Sequence, residues 1–92
     1  MRNLGHLKEA ELSTRKAIQL NPDFAEAHNN LGAILKDLDK LDESKQALQR
    51  AIEIRPDENS YITNLIYVLL KLYSWNEINH YLPLIKQLRM PS

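Results

Sequence analysis

The sequence predicts an all-α solenoid of stacked helix–turn–helix units, and three observations carry that expectation. The first is a repeat. Pro22-Asp23 returns as Pro56-Asp57, and the stretch from Leu4 to Asp23 lies on the stretch from Leu38 to Asp57 with Leu4/Leu38, Leu7/Leu41, Glu9/Glu43, Ala17/Ala51 and Ile18/Ile52 matched, 34 residues apart. Trp75 and Ile85 extend the series from Leu41 and Ala51 at the same spacing. The second is the helical spacing of apolar residues between these prolines. The third is that the chain shows no β-alternation, glycine-rich loop or low-complexity tract. A fixed period of about 34 residues marks an array in which each unit buries its apolar face only against its neighbours.

Five helices are expected. The first runs from about Leu7 to Leu20, with Leu7, Ala10, Ala17, Ile18 and Leu20 apolar at helical spacing. Asn21-Pro22 ends it, because proline disfavours a helical residue before it. Asp23 is expected to cap the second helix, and Glu26, three residues on, completes a capping box. That helix carries Ala27, Leu31, Ile34, Leu35 and Leu38 and stops near Asp37. The polar turn Asp39-Lys40 leads to a third helix, about Leu41 to Ile54, after which Arg55-Pro56-Asp57 repeats the earlier punctuation. The fourth spans about Glu58 to Leu72. Ser74 with Glu77 reads as a further capping box, opening a fifth helix from Trp75 to about Leu88 that Pro83 should kink near Leu82. The short connections force consecutive helices antiparallel.

Composition narrows the classes. Ninety-two residues make one small domain near the lower limit for an unaided core. Acidic and basic residues balance, twelve of each, so no net field recruits nucleic acid or anionic lipid. The C-terminal excess of Lys71, Lys86 and Arg89 over Glu77 is too thin for a binding patch. The absence of cysteine excludes disulfides and thiolate chemistry and fits a reducing, cytoplasmic setting. The longest apolar run, Leu65 to Leu70, is far short of the roughly 20 residues that span a bilayer.

The unit from Ala25 to Glu58 resembles the tetratricopeptide repeat. His28, Leu31-Gly32 and Leu35 stand where that family's first helix favours a large residue, Leu-Gly and an aromatic; Ser44, Leu48, Ala51 and Pro56 stand where its second favours small, large and small residues and then proline. Gly32 lets the paired helix approach closely, and Ala51 does the same from the facing helix. The resemblance implies a right-handed superhelix divided into a half repeat (residues 1–24), a full repeat (25–58) and a degenerate C-terminal repeat (59–92). In the last, Asn64, Leu65 and Leu69 match, but Ile66, Ile78 and Ile85 replace small residues and Met90 replaces proline.

In that family the first helix of each unit lines a concave groove, so the resemblance implies that Asn30 and Asn64, one repeat apart, point into it. An asparagine offers both donor and acceptor and can pair with the backbone of an extended peptide whatever its sequence. The arrangement is similar to the asparagine ladders of some members of the family; the alternative is a pair of solvated polar positions. Glu26, Asn29, Ala33, Lys36 and Asp37, with Ser60, Thr63, Tyr67 and Lys71, would share the surface. Ser60 and Asn64 occupy positions where some members carry the cations that clamp a C-terminal carboxylate, so a receptor for chaperone tails is not expected.

Catalysis finds no support. His6, His28 and His80 are dispersed, and His28 reads as a packing residue; Glu9, Glu11, Asp42 and Glu43 read as acids favoured near helix N-termini. No cofactor or metal is expected. The apolar C-terminal end is the remaining anomaly. The fourth helix has almost no polar face and the fifth carries a broad apolar stripe, so Tyr61, Val68, Tyr73, Tyr81, Leu84 and Leu88 are candidates for self-association. The expected function is a protein-interaction scaffold that binds a peptide or protein segment in the groove. The alternatives are a structural module that homodimerises through its C-terminal unit and an accessory piece of a longer protein such as a transferase.

Overall fold

The computed structural model describes residues 4–72, which fold as four helices: α1 (Leu4–Leu20), α2 (Ala25–Asp37), α3 (Leu41–Ile54) and α4 (Asn59–Leu72). There is no strand among the described residues. The expected fifth helix, with its capping box and the kink at Pro83, lies outside them. The α3 boundaries and the end of α2 fall where the sequence places them, while α1 begins one turn early, at Leu4 rather than Leu7.

The two proline turns share three backbone bonds. Asn21 N–H donates to the Ala17 carbonyl, Phe24 N–H to Asn21 and Ala27 N–H to Phe24; 34 residues on, Arg55 donates to Ala51, Glu58 to Arg55 and Tyr61 to Glu58. Closing the turn with backbone bonds leaves Phe24 as the N-cap of α2, with no side-chain cap. This corrects the expected capping box at Asp23 and Glu26. The Asp23 carboxylate instead accepts a hydrogen bond from Arg50 at 3.3 Å. The turn between α2 and α3 is different in kind. Lys40 N–H donates to Leu35 O and Asp39 N–H to Lys36 O, the pair of bonds that ends a helix through a left-handed residue. Asp39, at φ 66°, is that residue.

The most extensive packing is between α2 and α3, with α1 against α2 and α4 against α3. Gly32 is why the central hairpin closes so tightly: a Cβ there would stand 2.6 Å from Leu48 Cγ. Beside it Ser44, fully buried, donates a 2.6 Å hydrogen bond to the Gly32 carbonyl, so the small polar residue in the core is satisfied. Leu48 then meets Leu65, Val68 and Leu69 of α4, while Leu31, Leu35 and Ala47 pack with Ile18 of α1. Ala25, Ala51 and Tyr61 close the core at the proline-turn end. No residue of α1 is buried; Leu12 is 71% exposed, although Ala17 and Ile18 are partly covered.

Two self-association candidates are thereby corrected. Tyr61 and Val68 retain only 4% and 0% of their surface, because α4 turns both onto α3 and into the chain's own core. Neither side chain is open to a second copy. Tyr73, Tyr81, Leu84 and Leu88 lie outside the described residues.

Candidate partner-binding face

α2 and α4 lie side by side on one flank of the hairpin, in direct contact across α3. The residues that meet there are polar. Asn64 Nδ2 donates a 2.9 Å hydrogen bond to Asn29 Oδ1, part-buried between the helices. The bond uses one acceptor of Asn29 and one donor of Asn64, which leaves an amide carbonyl and amide hydrogens at the same spot. That is the complement of a peptide group. Asn30, one position on, is exposed and Ala33 is half-buried one turn below. Thr63 is exposed and bends its hydroxyl back to the Asn59 carbonyl at 3.0 Å.

About one turn further along α4, Tyr67 is 49% exposed. The Lys36 ammonium, from α2, stands 4.6 Å from the ring centre and that of Lys71, from α4, 5.3 Å. Both lysines occupy the last turn of their helices, where a cation complements the helix dipole. Leu70, 56% exposed, lies on the same helix three residues from Tyr67. Glu26 is exposed at the opposite end of α2, and Asp37 is half-buried next to Lys36 in sequence. The face thus runs from an acid at one end, through amides, to a ring with two lysines.

The asparagine geometry differs in one respect from the sequence expectation. Asn30 and Asn64 are equivalent by the 34-residue period, yet the residue that touches Asn64 is Asn29. Equivalent positions on successive helices face the same direction in space and stand an interhelical spacing apart, about 8–10 Å. Contact is made by positions that face each other, one shifted around the helix. Neither the Asn29–Asn64 bond nor the lysine pair around Tyr67 has a signal in the period itself.

A separate cleft of about 450 Å³ opens between α1 and α3 over α2, with Ile18, His28, Leu31, Leu35 and Ala47 among its lining residues. Arg15 bridges it, bonded to Glu11 on its own helix at 3.0 Å and to Glu43 on α3 at 3.2 Å. His28 is half-buried, and its Nε2 is 2.8 Å from the Pro22 carbonyl, tying α2 to the turn that precedes it. Among the described residues no group of three or more histidines, cysteines or carboxylates is placed to hold a metal ion. No described helix is long and apolar enough to cross a membrane.

Antiparallel helix pairs stacked through a 34-residue period, with matching turns and a polar face between alternate helices, define a helical-repeat protein. The description "Tetratricopeptide repeat" matches residues 25–58 and a second family description, "TPR repeat", matches residues 2–39. The chain belongs to the tetratricopeptide-repeat family. Repeats of this family generally mediate protein–protein interaction and are typically non-enzymatic scaffolds. Among curated proteins none matches the chain.

Proposed function

We propose that this protein is a scaffold that holds an extended segment of a partner protein along the groove between α2 and α4. The observation that carries the reading is the Asn29–Asn64 amide pair, set between exposed Asn30 and half-exposed Tyr67. Amides of this kind pair with the partner's backbone and supply affinity without demanding a sequence. Glu26, Ala33, Lys36, Asp37, Thr63 and Lys71 border the segment and tune which side chains it carries. On this reading residues 1–24, 25–58 and 59–92 are a half, a full and a degenerate repeat of one interaction domain, and it needs no cofactor. The test is selection of peptides from a displayed library on the full chain, followed by titration against the Asn30→Ala/Asn64→Ala variant. Selected peptides should lose about fivefold or more in affinity, on the order of 1 kcal/mol. Unchanged affinity would remove the groove reading.

A second reading is assembly through the C-terminal unit. Its support among the described residues is Leu70, which remains 56% exposed on α4. Light scattering at micromolar concentration decides it, since a clean monomer would end that reading.

A further inference from the structure

The structure assigns a ligand site independent of the groove between α2 and α4: the cleft between α1 and α3, shaped for a small amphipathic carboxylic acid. Its volume of about 450 Å³ falls in the range of pockets that enclose small molecules, roughly 300–1,000 Å³. The cleft exists because α1 and α3 each pack on α2 while making little contact with one another. Leu31 and Leu35 of α2, both buried, form its floor, with Ala47 from α3 and Ile18 from α1 beside them. That floor is apolar, so an alkyl or aryl group laid on it leaves water at little polar cost.

The two ends of the cleft differ in polarity. His28, Leu31 and Leu35 lie at i, i+3 and i+7 on one stripe of α2, so the floor passes from an imidazole to two leucines. Because α3 runs antiparallel to α2, Arg50 stands at the His28 end and Glu43 at the Leu35 end, seven residues or about 10 Å apart along the rim. At the leucine end Glu43 is bonded to Arg15 at 3.2 Å, and Arg15 is held in turn by Glu11 at 3.0 Å. That bridge balances its own charges. At the other end Arg50 meets Asp23 and Glu53, whose side chains are 80% and 67% exposed, and these bonds use two of its five N–H donors. Pairs so open to solvent are weak, so a carboxylate anchored by a buried chain can take the guanidinium from them at small cost. The acid therefore lies with its head at Arg50 and its apolar body over the leucines, directed toward the Arg15–Glu43 bridge. An amine fits less well, since Glu43 is the one carboxylate among the described lining residues and is already bonded to Arg15.

The test titrates the full chain, labelled with nitrogen-15, with octanoate, octanol and octylammonium at low salt while backbone amide shifts are followed. Octanoate should shift the amides of Gln19, Leu31, Ala47 and Arg50 most strongly. It should bind about fivefold or more tighter than octanol, and octylammonium should bind most weakly. Arg50→Gln should bring octanoate down to the affinity of octanol with the far-ultraviolet circular dichroism unchanged, since the ion pairs it removes are exposed. Asn30→Ala/Asn64→Ala should leave octanoate binding unaltered. Shifts centred outside the cleft, equal affinity for octanol or octylammonium, a preference that survives Arg50→Gln, or no saturable binding each overturns the site. Loss of octanoate binding in the asparagine variant also overturns it, in favour of the groove between α2 and α4.

Discussion

Gly32 and Leu48 are fitted so closely that a methyl group on the glycine would stand 2.6 Å from Leu48 Cγ and 2.8 Å from its Cδ2. The leucine cannot move aside, because it has no exposed surface and is wedged against Leu65, Val68 and Leu69. Gly32→Ala gains up to about 1 kcal/mol of helix propensity but overpacks this contact at a cost of about 1–3 kcal/mol. The expected result is a net destabilisation, read as a lower midpoint in urea. Leu48→Ala alone should cost about 2–5 kcal/mol. The double variant should be more stable than the sum of the singles predicts, since the truncated side chain makes room for the new methyl. Strict additivity would mean that the two residues do not meet.

Asp39 invites the opposite change. It holds a left-handed conformation at φ 66°, where an L side chain costs about 1–2 kcal/mol relative to glycine, somewhat less for aspartate. Asp39→Gly should therefore stabilise the chain by about 1 kcal/mol, even after the entropy that glycine adds to the unfolded state. Thermal unfolding would show this as a rise of several degrees, and a lower midpoint would argue against the left-handed turn.

Exposed charge should matter little to stability. Arg50 reaches Asp23 and Glu53 at 3.3 and 3.2 Å, and all three side chains are largely in solvent. Arg50→Ala is expected to change stability by less than about 1 kcal/mol, because exposed pairs gain little against screening and side-chain ordering. A larger loss in urea titrations would show that the pairing of α3 to the first proline turn is structural.

The amide pair is a more sensitive point. Asn64→Ala removes a part-buried 2.9 Å bond to Asn29 and should cost about 1 kcal/mol. Asn29→Ala should cost a similar amount, and the double variant little more than either single, as expected for one shared bond. The check is a double-mutant cycle in urea. Additive losses would show that each asparagine is held by something else.

Local patterns were legible because they rest on near neighbours in the chain. A proline terminates the helix before it wherever it stands, so Pro22 and Pro56 produce the same three backbone bonds in turns 34 residues apart. The apolar stripe of α3, with Ala47, Leu48 and Ala51, identifies the face that is buried. The cap of α2 departs from the sequence expectation for a reason of the same scale: the turn closes one residue later, on Phe24, and frees Asp23 for Arg50.

The sequence by itself determined the helices, the turns between them and the repeat that stacks them, since periodicity and proline act over a few residues. Tertiary structure decided the partners of the polar residues. Asn64 pairs with Asn29 rather than standing beside its repeat equivalent Asn30, Lys36 and Lys71 share one ring, and α4 gives Tyr61 and Val68 to the core while leaving Tyr67 and Leu70 outside. The period records which positions are equivalent. Which of them touch depends on how far one helix is turned against the next, and only packing sets that rotation.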